Sequence, residues 1–127
     1  MRRRSGKDDR GTTTIEYVVV MPVVMFALLL AVQTAIWFHG ANVAQAAATR
    51  GAGAGSARGA GAGAAEAEAG RVVAENGATG QVTSAIDGTD LSVTVVVQVP
   101  HLVPFFPDTA TRSRREPIER FIPEGAP

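Results

Sequence analysis

Glu16 stands directly before 22 residues that carry no formal charge, YVVVMPVVMFALLLAVQTAIWF at positions 17–38. A carboxylate at the centre of a membrane span costs about 2.5–3.5 kcal/mol on insertion scales, so one inside or beside a span needs a partner or water. Glu16 is therefore either the last interfacial residue of a span or an acid held for a specific partner. The other reactive side chains form no constellation. His39 and His101 are the only histidines, isolated in sequence and without a ligand cluster nearby, so no metal site is expected at either. With no cysteine, there can be no disulfide framework, thiolate zinc site, iron–sulfur cluster or cysteine nucleophile. No nucleophile motif and no glycine-rich phosphate loop with its lysine is present. Counting residues leaves Ser/His/Asp catalysis open, but the expectation is a chain with no catalytic residue, no cofactor and no small-molecule substrate, read as no enzyme. Arg112, Arg114 and Arg115 lie near Asp108, Glu116 and Glu119 and lack an aromatic stacking platform. They read as a solvated strand face instead of a nucleic-acid patch.

The elements that must position these residues follow from where charge and apolar content lie. The 127 residues carry 12 basic and 12 acidic side chains, so net charge points to no polyanionic partner. Their distribution is uneven. Residues 1–11 hold Arg2, Arg3, Arg4, Lys7 and Arg10 against Asp8 and Asp9, a net of +3, whereas residues 39–127 hold seven Arg against nine acids, a net of −2. The run between them spans roughly 33 Å as a helix, enough for a hydrocarbon core of about 30 Å. Its six Val, three Leu, one Ile and two Phe contribute about −5 kcal/mol towards insertion, which Pro22 and Gln33 do not cancel. A proline near the start of a membrane helix is tolerated and predicts a kink. A buried soluble helix would need a surrounding core, and the rest of the chain has too few large apolar residues for one. A cleaved signal has a shorter apolar region than this run and a small-residue site after it. The basic flank predicts a cytoplasmic N-terminus and an exported remainder, with Trp37 and His39 at the far interface.

Beyond the span, 41–71 is dominated by Ala and Gly. Asn42–Arg50 suits continuation of the helix. The stretch GAGAGSARGAGAG at 51–63 contains six Gly, which cost an isolated helix roughly 6 kcal/mol relative to Ala, so a weak helix or flexible neck is expected. Gly51, Gly55, Gly59 and Gly63 recur every four residues and on a helix would form a stripe for close backbone contact. Compositional drift into Gly-Ala repeats is the preferred reading of that spacing. Helical composition resumes over 64–74. Gln81–Ile86 and Leu91–Val99 then alternate apolar and polar residues around the turn signal Asp87-Gly88-Thr89-Asp90, a period-two hairpin pattern. Pro100, Pro104 and Pro107 interrupt the chain, leaving Phe105 and Phe106 to cover the sheet, and 109–116 reads as a third, edge strand kept soluble by its arginines. The fold class is α+β: a long N-terminal transmembrane helix extending into a stalk, followed by a small antiparallel β-sheet. The expected organisation is a leader at 1–11, the membrane helix at 12–40, an Ala/Gly-rich helix or neck at 41–78, and an extracytoplasmic β domain with a Pro-rich tail at 79–127.

The segment Gly11-Thr12-Thr13-Thr14-Ile15-Glu16-Tyr17, set between a basic leader and an apolar span, resembles the type IV prepilin processing site. Its Glu-Tyr pair resembles the Flp branch and its TadE-like relatives. The segment VTVVVQVPHLVP at 93–104 and the tail Pro117-Ile118-Glu119-Arg120-Phe121 are also similar to TadE-like proteins. The long Gly-Ala neck departs from that pattern and questions a rigid continuous stalk. The resemblance implies cleavage of the Gly11–Thr12 bond by a membrane-embedded prepilin peptidase, which makes Thr12 the first residue and Glu16 the fifth. By the same resemblance, Glu16 pairs with the new amino terminus of a neighbouring subunit and, with Tyr17, sets assembly register. It further implies a structural minor pilin or pseudopilin of a tight-adherence pilus or related secretion apparatus. Its partners would be other pilin-like subunits, the assembly platform and the membrane, with no nucleic acid. It would be a single-pass cell-membrane protein, N-terminus in the cytoplasm, that can enter an extracellular pilus after processing. A signal-anchored envelope protein whose sheet binds an extracellular partner is the competing expectation, and a secreted protein cut near Ala35 or Ala41 is a third.

Overall fold

The computed structural model describes residues 9–120, and the leader before Asp9 and the tail from Phe121 onward lie outside the described residues. Two helices and three strands follow in order: α1 (Asp9–Ser56), α2 (Gly61–Glu75), β1 (Thr79–Asp87), β2 (Asp90–Gln98) and β3 (Thr109–Pro117). The strands form one antiparallel sheet with β2 in the centre, and both helices pack on the same sheet face.

α1 runs for 48 residues, about 72 Å at 1.5 Å per residue. Its two halves have opposite surroundings. Residues 13–29 are exposed on every side, although most are large and apolar. From Gln33 onward one face is buried, through Gly40, Ala44, Ala47, Ala48, Gly51, Ala52 and Gly55. Steps of three, four and seven keep these residues on one side of the helix. Small side chains on that stripe let both the sheet and α2 come close. A Cβ added at Gly40 would meet Val99 Cγ2 at 2.7 Å, and one at Gly51 would meet the Ala65 carbonyl oxygen at 2.7 Å and Ala69 Cβ at 2.8 Å. At Gly55 it would meet Leu91 Cδ2 at 2.5 Å and Ala65 Cβ at 2.6 Å.

The Gly-Ala tract is therefore no loose neck. α1 stays helical to Ser56, the chain reverses over 57–60, and α2 returns along it. Isolated helix propensity is overridden by packing that only the missing side chains permit. The four-residue glycine repeat divides in two: Gly51 and Gly55 are contact positions, whereas Gly59 serves the turn with φ of 76° and Gly63 meets nothing within 4 Å. Drift thus accounts for neither of the first pair. α2 closes with a Schellman arrangement, in which Ala78 N–H donates to Val73 O and Gly77 N–H to Ala74 O, with Gly77 in the left-handed region at φ 66°. On its exposed face Arg71 bridges Glu68 at 2.5 Å and also Glu75, and its hydrogen bond holds the Glu68 carboxyl below the usual carboxylate range.

The core is the alternating face of β2. Leu91, Val93, Val95, Val97 and Val99 are buried against Ala44, Ala48, Ala65, Ala69, Val72 and Val73 of the helices, or against Ala41 and Ala110 at the sheet's lower end. Each fully buried Val or Leu contributes about 1.5–3 kcal/mol. Register pairs Val82 with Val95 and Ala110 with Val97. It also puts Arg112, Arg114 and Glu116 opposite Val95, Val93 and Leu91, on the helix-facing side of an edge strand. Charged groups there discourage pairing with another sheet. Glu116 bridges Arg114 at 2.8 Å and the Arg112 guanidinium lies 5.7 Å over the Trp37 ring, whereas Arg115, opposite Ser92, is on the other sheet face. After β3 the chain is tied back by Ile118 N–H to Thr89 O at 2.8 Å and Glu119 N–H to Ser56 O at 2.9 Å.

Candidate functional site: the exposed apolar arm of α1

Residues 13–29 project beyond the folded head as a helix that is apolar around its whole circumference. Val18 is 68% exposed, Met25 60% and Leu28 57%. A helix that is hydrophobic on all sides must be covered by something, either lipid or other helices. Among the described residues, α1 alone is long and apolar enough to cross a membrane, and its most apolar stretch has none of its residues buried within the chain. Pro22 lies inside this arm and removes one backbone donor from it.

Glu16 and Tyr17 sit near the start of the arm. With Thr13 and Val20 they line a shallow groove, since positions 13, 16, 17 and 20 fall on one helix face. Ion pairs among the described residues lie at Arg71 and Arg114, and none involves Glu16. Gly11 and Thr12 are within the first turn of α1, and Thr12 precedes Glu16 by one helical turn. The residues singled out from sequence thus share one end of one element, the end farthest from the sheet.

The opposite end of the apolar run holds features that sequence reasoning missed. Gln33 is fully buried although it interrupts a hydrophobic stretch. Its Nε2 donates to Pro100 O at 3.1 Å and its Oε1 accepts from Leu102 N–H at 2.6 Å, a two-bond clasp on the loop between β2 and β3. Its sequence signal was present, a lone amide among 22 uncharged residues, but it marks a tertiary partner instead of only a cost of insertion. Trp37 donates from Nε1 to Thr109 O at 3.2 Å, anchoring the same loop's far end. Phe105 does not cover the sheet. It is 72% exposed and its ring lies 6.3 Å from that of Phe26 of the arm, tilted by 47°. His39 and His101, distant in sequence, line one open cleft together with Asp108 and Asn76. No group of three or more His, Asp or Glu among the described residues is placed to hold a metal.

These features define a class: an α+β protein whose single N-terminal helix is fit to be a membrane anchor and carries a small helix-backed sheet at its far end. Residues 11–53 match the family model described as TadE-like protein, the family that the Gly11–Tyr17 segment resembles. The match starts on Gly11, takes in Glu16 and Tyr17, and ends at Gly53 in the packed half of α1. No curated protein and no solved structure matches the chain.

Proposed function

We propose that this chain is a minor pilin or pseudopilin of a Flp-type, tight-adherence pilus or a related secretion apparatus, acting as a structural or assembly subunit and not as an enzyme. The observation that carries the reading is the family match over 11–53, which covers the cleavage-like segment and the apolar arm on one continuous helix. A prepilin peptidase on the cytoplasmic side cuts between Gly11 and Thr12 and removes the basic leader. Glycine eases that step, because it weakens the first helical turn by about 1 kcal/mol relative to Ala and lets the backbone open into the protease. The new α-amine of Thr12, with a pKa near 8, is mostly protonated at neutral pH. In the low dielectric of a helix bundle it attracts the Glu16 carboxylate of a neighbouring subunit, and either charge left alone there is penalised. The exposed apolar arm supplies the packing surface, and the charge pair selects its register. The exported head meets other pilin-like subunits and the assembly platform.

Amino-terminal sequencing of the protein from cells with an active prepilin peptidase tests this. Mature material should begin at Thr12, and Gly11→Leu should remain at precursor size. A terminus at Met1 or Arg2 instead supports a plain signal anchor, and one beyond Phe38 a secreted form. Normal processing of Gly11→Leu would refute the peptidase step.

A further inference from the structure

We propose that the proline-rich loop between β2 and β3, residues 99–108, is a second membrane element, with Leu102 and Phe105 immersed among the acyl chains of the leaflet on the head's side. The proposal rests on α1 crossing the bilayer and is independent of pilin processing.

The loop's position along α1 carries the argument. It is fixed to Trp37 through Thr109, to Gln33 through Pro100 and Leu102, and reaches Phe26 through Phe105. From Trp37 to Phe26 is eleven helical positions, so the loop descends about 16 Å along the axis of α1. Were the loop kept wholly in water, only the segment below Phe26 could remain in the bilayer. Tyr17–Met25 is nine uncharged residues, about 13 Å, and extending it past Glu16 to Thr12 gives 14 residues, about 21 Å. Both fall short of the roughly 30 Å hydrocarbon core. A bilayer that accepts the full run at 17–38 must therefore also accept the loop tip.

The loop's chemistry suits that depth. Irregular backbone in hydrocarbon is tolerated only where its polar groups are satisfied within the protein. Of the ten positions 99–108, Pro100, Pro104 and Pro107 have no N–H, and the N–H groups of Val99, Leu102 and Phe106 donate to Asp108 O, Gln33 Oε1 and Val103 O. Gln33 bonds the same loop twice, so the span's one amide and the Pro100 carbonyl and Leu102 N–H offset each other's desolvation cost. Within 99–108 there is no Lys, Arg or Glu, and the one Asp, Asp108, stands at the loop's upper end next to Thr109, which bonds Trp37. Val103 is buried at 1% exposure and pins the loop, while Leu102 at 55% and Phe105 at 72% point outward, continuous with the exposed Phe26 and Leu29 of the arm. Trp37, at the loop's upper end, lies where an interfacial ring belongs.

The chain has no cysteine, so single-cysteine variants report position cleanly. Full-length Phe105→Cys, Leu102→Cys, Val24→Cys (within the arm) and Thr83→Cys (on the sheet face away from the helices) are labelled with an environment-sensitive fluorophore. Each is reconstituted at low protein-to-lipid ratio in phosphatidylcholine/phosphatidylglycerol vesicles. Nitroxide-bearing lipids should quench labels at 102, 105 and 24 severalfold more than the label at 83, and aqueous iodide should show the reverse order. Labels at 102 and 105 that behave like 83 while 24 is quenched by lipid overturn the proposal and leave the span intact. Protection at 102 and 105 that appears only at high protein density overturns it in favour of a second copy of the chain. Failure of lipid quenching at 24 as well removes the span and the loop together.

Discussion

Gln33 interrupts the apolar run and Glu16 borders it, and their surroundings differ. Gln33 is buried and fully bonded, whereas Glu16 lies on an exposed helix face with no ion pair to a described residue. Removing each should therefore fail differently. Gln33→Leu leaves the Leu102 N–H and Pro100 carbonyl without their partner and should lower unfolding stability by about 1–3 kcal/mol, read by denaturant titration in detergent. Glu16→Ala touches nothing in the folded head, so its melt should stay unchanged. Under the proposed function that variant is still inserted and cleaved but assembles poorly, visible as loss of the protein from sheared surface fibres while the membrane fraction stays normal. An intact fibre signal would discard the charge-pair role.

At the scale of elements, the helical hairpin depends on absent side chains. Gly51→Ala places a methyl group 2.7 Å from the Ala65 carbonyl and should cost about 1–3 kcal/mol through overpacking. Gly70→Ala, in the interior of α2 with nothing within 4 Å of the added carbon, should instead stabilise by up to about 1 kcal/mol. Thermal unfolding of the two variants, measured side by side, separates a packing contact from mere composition. If Gly51→Ala is also neutral or stabilising, the close approach of α1 and α2 is wrong. The strands were legible from sequence because strict alternation from Leu91 to Val99 has a single solution, with every second residue buried on one face. The hairpin turn was legible for its Gly88. The helical hairpin was not, because glycine's low propensity and glycine's close packing give the same letters, and only the arrival of Ala65 and Ala69 decides between them. Glu16 was singled out in the sequence by its spacing from Gly11. Gln33 was not, since its partners stand 67 and 69 residues away and leave no local trace.

The whole molecule is a head built on one half of a helix whose other half projects alone. Residues 13–29 contribute almost nothing to the head's core, the Phe26–Phe105 ring contact being the exception. A fragment beginning at Val32 should accordingly keep the sheet's circular-dichroism signal and melt cooperatively without detergent. A fragment lacking a cooperative transition would show that the projecting half holds the head together.

The last strand is also the one that joins the first helix to the loop. Trp37 and Thr109 bond across a separation of 72 residues, and Glu119 reaches back to Ser56. Such contacts have a high contact order, and chains that depend on them close late and slowly. During synthesis the α1 stripe, helical hairpin and loop must wait side by side until residues 109–119 follow. Until then the free edge of β2 is open to pairing with like strands. A chain stopped before Thr109 should thus keep both helices and the first hairpin but present an unpaired sheet edge, which makes this final stretch the one that closes the head.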